Sequence, residues 1–223
     1  YVGATGKRED HTLGNISLSL QPDGFDAVVV AGGDFPTHAV PLTLVEQARM
    51  LVACDAAGEE LIRRGYIPTA IIGDCDSMSQ EFLTAHRDII YKVEEQDYND
   101  LTKATRFCVE RGCRRIAYVG ATGKREDHTL GNISLLDFYR REMHIAALMA
   151  TDHGVFLSAS GTTELATFAG QQVSIFNLTC SHLEGDGLRW QPYAFAAMWQ
   201  GTLNEATGES ITLRGDGDRK SVV

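Results

Sequence analysis

Four clusters in this chain place acids and bases at spacings suited to handling phosphate, and each follows a run that reads as a β-strand. Asp55 comes directly after the run Met50–Cys54 and before Ala56-Ala-Gly58. Gly73-Asp-Cys-Asp-Ser77 follows Ala70-Ile-Ile72. In extended backbone, side chains two apart share a face, so Asp74 and Asp76 are expected to point together and Cys75 away. Two neighbouring carboxylates raise each other's pKa unless a counter-charge intervenes. A hard divalent cation supplies one, and Mg²⁺ typically takes one or two carboxylates together with substrate phosphates. Helix capping by Asp76 or Ser77 is the competing explanation of a bare Asp-x-Asp.

The third cluster, Gln96-Asp97-Tyr-Asn-Asp100-Leu-Thr-Lys103, offers Asp97 and Asn99 as alternative N-caps. Asp100 then falls in the first helical turn, with Lys103 one turn on along the same side. Capping accounts for one acid there, not for two acids and a lysine. The fourth, Gly120-Ala-Thr-Gly-Lys-Arg-Glu-Asp-His128, is a glycine-rich turn after a strand. Such a turn lets the backbone at Gly120, Thr122 and Gly123 approach a ligand, and amides at the following helix start attract anions. It is not a Walker A loop, because Tyr118 stands at that motif's first glycine and Arg125 follows Lys124 where Ser or Thr is required. A solvated charged turn is the alternative. His128 is a candidate base that can equally cap or pack. Together the acids, with Lys103, Lys124 and Arg125 nearby, point to metal-assisted phosphoryl transfer.

Elements able to position these clusters are legible in the periodicity. Strand-like runs are Ala27–Ala31, Met50–Ala53, Ala70–Ile72, Ile89–Lys92, Ile116–Val119 and Ala146–Met149. Helical stretches lie between them near Leu42–Ala48, Gly58–Arg64, Gln80–His86, Asp100–Glu110 and Thr129–Arg140. The fourth has apolar positions at Leu101, Ala104, Phe107 and Cys108 and stops at Gly112, a C′ residue. Alternating strands and helices imply an α/β domain over residues 21–150, a mainly parallel, doubly wound sheet covered on both faces. Ligands of such sheets bind beyond the carboxyl ends of the strands, where all four clusters fall. After a seam between Ala150 and Gly154 the texture changes. Val155–Leu157, Thr163–Phe168, Val173–Leu178, Phe195–Gly201 and Ser210–Leu213 are short and separated by turns, which reads as a small antiparallel β-sandwich over residues 151–223.

Composition narrows the function further. The net charge of −10 argues against a nucleic-acid partner, since counterion release needs a basic surface. No apolar run is long enough to span a bilayer, so no membrane partner is expected. No signal peptide opens the chain, and Cys54, Cys75, Cys108, Cys113 and Cys180 contain no Cys-x-x-Cys pair, which fits reduced thiols in a cytoplasm. Tyr118–Leu135 recurs letter for letter as Tyr1–Leu18. The terminal copy lacks a preceding strand and runs into Gln21-Pro-Asp-Gly24, so residues 1–20 are read as an artefactual duplication or a disordered arm without function.

The ordered motifs GDCDS, QDYNDLTKA and GATGKREDHTLGN resemble the signature of the thiamine pyrophosphokinases. The resemblance extends upstream to Ala53–Gly58 and downstream to Gly187-Leu-Arg-Trp190 and Thr202-Leu-Asn-Glu205. It implies transfer of a diphosphoryl group from ATP to the hydroxyl of thiamine, giving thiamine diphosphate and AMP. It also implies Mg²⁺ and a homodimer with a shared active site. By position, Asp74, Asp76 and Asp100 match the metal-handling carboxylates, and Asp55 and Asp97 further acidic positions. Arg125 and Asp127 match a phosphate-contacting arginine and the aspartate two residues on. Lys103 and Arg125 would offset phosphate charge, Asp127 or Asp97 would accept the hydroxyl proton or orient thiamine, and Trp190 and Asn204 fall on the thiamine side. The chain departs from the pattern at Lys124, at Ala56-Ala57 and at Leu203, where small residues, glycine or serine are expected. A nucleotide-sugar transferase using the Asp-x-Asp, and a non-catalytic nucleotide- or thiamine-binding module, are the rival readings.

Overall fold

The computed structural model describes residues 24–223, so the segment 1–20 lies outside the described residues. Uninterrupted buried runs form the inner strands β1 (Ala27–Val30), β2 (Leu51–Cys54) and β3 (Ala70–Gly73), as a sheet covered on both faces requires. With β4 (Ile90–Lys92), β5 (Arg115–Val119) and β6 (Ala146–Ala150) they make a parallel sheet in the order β6-β5-β1-β2-β3-β4. The chain runs outward from β1 to β4, then returns to the other side of β1 to lay down β5. The topological switch therefore lies between β1 and β5, where crevices for ligands open in doubly wound sheets.

Five helices connect the strands: α1 (Ala39–Glu46), α2 (Ala57–Arg63), α3 (Gln80–Ala85), α4 (Asp100–Glu110) and α5 (Glu126–Glu142). α4 matters most for the site. Asn99 caps it by accepting from the Thr102 amide at 3.0 Å, and Gly112 ends it in the left-handed region that favours glycine. Its inner face carries hydroxyls as well as carbon. Thr102 Oγ1 lies 2.9 Å from the Tyr139 hydroxyl on α5, and Thr105 Oγ1 lies 3.0 Å from the Tyr118 hydroxyl on β5. These buried pairs, packed on a stacked Tyr118–Tyr139 ring pair, fix α4 against β5 and α5. Asp100 is thereby held at one rim.

At the opposite end of the sheet, Asp26 accepts from the amides of Arg114 (2.7 Å) and Arg115 (2.9 Å), joining β1 to β5. Those two amide bonds hold the Asp26 carboxyl below its ordinary pKa. A depressed carboxylate contributes stability above its unfolded value, lost as pH falls through the folded value. Asp26→Asn is thus expected to lower the Tm at pH 7, with the gap to wild type closing as pH falls below the normal aspartate range. Thermal unfolding across pH checks this.

The chain divides between Asp152 and His153 into two units. The second is antiparallel: β7 (Val155–Ala166), β8 (Gln172–Asn177), β9 (Leu183–Asp186), β10 (Asn204–Glu205) and β11 (Ser210–Val222). β11 pairs with β7 along its length. At a bulge between Gly215 and Asp218 its other edge changes partner from β9 to β8. Two expected strands at Val155–Leu157 and Thr163–Phe168 are one, and β9 was not expected. Phe195–Gly201 is not a strand; its last four residues form a 3₁₀ turn. The polar tail from Gly215 to Val222 is the second half of β11, with Arg219 fully buried and its Nη2 donating to the Gly161 and Leu213 carbonyls and to Thr163 Oγ1.

Candidate active site

Four strand ends, those of β1, β2, β3 and β5, and one helix start enclose a cleft of about 440 Å³ over the carboxyl edge of the parallel sheet. It is lined by Asp55 after β2, Asp74 after β3, Asp100 and Lys103 on α4, and Gly123, Lys124, Arg125 and His128 after β5. Asp76, Asp97, Asp127, Gly120 and Thr122 do not line it.

The absence of Asp76 has a local cause. The expectation that Asp74 and Asp76 share a face assumed extended backbone, but β3 ends at Gly73 and Cys75 adopts a left-handed φ of 62°. The chain turns, Cys75 is buried, and the Asp76 amide donates back to Asp74 Oδ1 at 3.2 Å. Asp76 is left exposed. Left-handed backbone at non-glycine residues recurs at Asp55 (φ 42°) and Lys124 (φ 58°). Each costs on the order of 1 kcal/mol, and such strain collects where a site needs it.

Electrostatically the cleft is an acidic pocket with one buried base. Asp55 Oδ2 accepts from Ser77 Oγ at 2.6 Å, whereas its buried Oδ1 has no hydrogen-bond partner. Burial raises the Asp100 pKa above its ordinary value, and Asp55 and Asp74 push it the same way; Lys103 opposes them. Lys103 is 5% exposed, with Nζ 3.3 Å from Asp100 Oδ1. Behind them Cys54 is fully buried, its thiol raised well above normal by desolvation, so it is no nucleophile. Three acceptor-only carboxylates in one pocket, one with a vacant buried oxygen, fit a hard cation with oxygen ligands. Among the described residues, no three His, Cys, Asp or Glu side chains converge closely enough to hold a metal by themselves. A cation completed by substrate phosphates is consistent with both facts.

At the rim, Arg125 and Asp127 form a two-point pair (Nε–Oδ1 3.1 Å, Nη2–Oδ2 2.6 Å), with 67% and 63% of the side chains exposed. The pair lowers the Asp127 pKa. His128 lines the cleft.

Reading the sequence missed the segment Gly32-Gly33-Asp34 after β1. The Gly33 amide donates to Gly120 O (2.7 Å) and the Asp34 amide to Thr122 O (2.8 Å), so this segment is stitched to the glycine-rich turn across the switch point. A Cβ on Gly33 would fall against the Thr122 and Gly120 carbonyl oxygens. The signal was a Gly-Gly pair at a strand end, which becomes meaningful once β1 and β5 are known to be neighbours. Asn132, also missed, donates to Ala121 O at 2.8 Å and lines the cleft.

Trp190 and Asn204 lie in the second unit. Asn204 is buried, and its amide is committed to backbone: Nδ2 donates to Trp190 O (2.7 Å), while Oδ1 accepts from the Trp190 (3.1 Å) and Glu205 (2.9 Å) amides. It therefore fixes the loop on which the Trp190 indole, 53% exposed, is presented beside the Arg189 guanidinium. Leu203 precedes it in left-handed backbone, φ 64°.

Two family models match the chain: "Thiamin pyrophosphokinase, catalytic domain" over residues 42–147 and "Thiamin pyrophosphokinase, substrate-binding domain" over residues 154–219. Among curated relatives, Thiamine pyrophosphokinase 1 of Oryza sativa subsp. japonica is 30% identical over 156 residues, 59% of this chain and 58% of that protein. Thiamine pyrophosphokinase of Bacillus subtilis (strain 168) is 33% identical over 118 residues, 48% of this chain and 52% of that protein. The matches thus span between half and three-fifths of these relatives. The crystal structure of the Bacillus subtilis thiamine pyrophosphokinase superposes with a TM-score of 0.73 at 20% identity, covering 88% of this chain and 97% of that one. Thiamin pyrophosphokinase from Candida albicans superposes with a TM-score of 0.73 at 16% identity, covering 88% of each chain. Likeness at that identity speaks for the fold.

Proposed function

The chain belongs to the thiamin pyrophosphokinase family, and from that premise we propose that it transfers the diphosphoryl group of ATP to the hydroxyl of thiamine, giving thiamine diphosphate and AMP. One observation carries the reading: the catalytic-domain match over residues 42–147 contains Asp55, Asp74, Asp100, Lys103 and Arg125, the acids and bases of a single cleft. Mg²⁺, a homodimer with a shared active site and a cytoplasmic location belong to the same proposal, as does a division into catalytic residues 21–150 and a thiamine-side, dimerising unit of residues 151–223. No helix among the described residues is long and apolar enough to cross a membrane.

Asp74 and Asp100 would hold the cation, with Asp55 Oδ1 as a further oxygen; Asp76 would have to swing in from its exposed turn to join them. Bound there, Mg²⁺ supplies charge neutralisation for the phosphates. The chain's own groups do the rest. Lys103, fixed by burial, faces the phosphate chain as a preorganised cation that needs no solvent reorganisation. Arg125 exchanges Asp127 for phosphate oxygens, and the released Asp127 orients the thiamine hydroxyl or takes its proton, a role for which Asp97 is the alternative. The hydroxyl oxygen attacks the β-phosphorus in line as the bond from that phosphorus to the AMP oxygen breaks, and AMP leaves with the electron pair. Gly120, Thr122 and Gly123 shape the turn, and Trp190, positioned by Asn204, is assigned to thiamine binding by the second unit.

Chromatography of a mixture of the chain, ATP, Mg²⁺ and thiamine tests the proposal. AMP with thiamine diphosphate is the expected result. ADP would mean transfer of a single phosphoryl group, and no product would leave a binding module.

A further inference from the structure

Resting on that nucleotide-binding reading, we infer that Lys124 is a phosphate-binding residue, holding the phosphate attached to the nucleoside where two cavities meet. Beside the carboxylate cleft lies a second cavity of about 580 Å³, with Phe35, Glu60 and Arg64 in its walls. The two cavities share Ala31, Gly32, Gly33, Ala56 and Lys124. A nucleotide too long for the carboxylate cleft has this neighbour to extend into, and the link between phosphates and nucleoside then crosses at Lys124.

The charges single out the same residue. Around both cavities, Lys103 is paired with Asp100, Arg125 with Asp127, and Arg63 and Arg64 with Glu60. Lys124 has no carboxylate partner among the described residues. Its ammonium makes one hydrogen bond, to Gly32 O at 2.8 Å, which leaves two of its three donors for another acceptor. It is exposed, and it keeps a left-handed backbone that glycine would adopt without strain. An unneutralised cation retained at a strained position between two cavities is placed for an anion. In the transfer reaction that anion is the AMP phosphate, on which the electron pair of the broken bond collects.

Lys124→Gly, Lys124→Met and Lys124→Arg separate this role from a structural one, using calorimetric titration with Mg·ATP and with AMP, Tm, and KM for each substrate. Gly and Met are expected to lose about tenfold or more in ATP and AMP affinity, the value of one charge-assisted hydrogen bond, with KM for thiamine unchanged. Arg should restore most of that affinity. The Tm of Lys124→Gly should not fall below wild type, since the left-handed backbone is relieved. Wild-type ATP and AMP affinity in Lys124→Gly overturns the inference. So does a loss that tracks lowered Tm in Gly and Met and is not restored by Arg, which would make the Gly32 bond merely structural. A wild-type chain that fails to bind ATP overturns this inference and the activity together, a result distinct from a selective loss in the variants.

Discussion

Asp100→Asn is expected to lower turnover by about 10²–10³-fold or more, the loss seen when one preorganised charge-handling group is removed from a reaction centre. The substitution keeps the shape of the side chain and an oxygen for Lys103 Nζ, now 3.3 Å from Oδ1, and removes only the negative charge. The Asn99 cap and the Thr102–Tyr139 and Thr105–Tyr118 contacts that seat α4 are untouched. Circular dichroism should therefore match wild type and unfolding should stay cooperative, at a midpoint lowered by the buried Lys103 that loses its counter-charge, while steady-state transfer from ATP to thiamine collapses. A variant within tenfold of wild-type turnover would remove Asp100 from the chemistry.

Gly33→Ala should have the second-largest effect, and it acts through the fold. A methyl group there meets the Thr122 and Gly120 carbonyl oxygens. Relief requires separating the β1 and β5 loops and stretching the Gly33–Gly120 and Asp34–Thr122 hydrogen bonds. Overpacking against backbone typically costs about 1–3 kcal/mol, and each strained hydrogen bond adds to it. Gly32→Ala is the control, because its Cβ would meet nothing within 4 Å. Urea unfolding should show a lower midpoint for Gly33→Ala and none for Gly32→Ala, and ATP affinity should fall with the former. Equal midpoints for both would mean the two loops are not coupled as described.

Much of this arrangement was legible in the sequence because local rules and tertiary context agree. The parallel sheet announces itself through buried β-branched runs, and α4 through its 3-4 spacing, its Asn99 cap and the terminal Gly112. Asp55, Asp74, Asp100 and Lys103 come together in one cleft, as their spacing leads one to expect, because a strand end or first helical turn fixes where a side chain goes. Asp76 was misplaced because periodicity assumes extended backbone, whereas Cys75 turns left-handed and is buried. Gly32-Gly33 was overlooked since a glycine pair carries no charge; its meaning comes from strand order, which places β1 beside β5. The second half of β11 was hidden by Arg219 and Lys220, polar residues that patterning assigns to solvent but that lie buried.

If this cleft moves a diphosphoryl group as one unit, the β-phosphorus of ATP must travel to thiamine. Wild-type chain incubated with Mg²⁺, thiamine and ATP labelled at the β-phosphate should place the label in thiamine diphosphate and release unlabelled AMP in equal amount. Label appearing in ADP, or remaining in ATP after prolonged incubation with thiamine, would mean that the cleft transfers no diphosphoryl group.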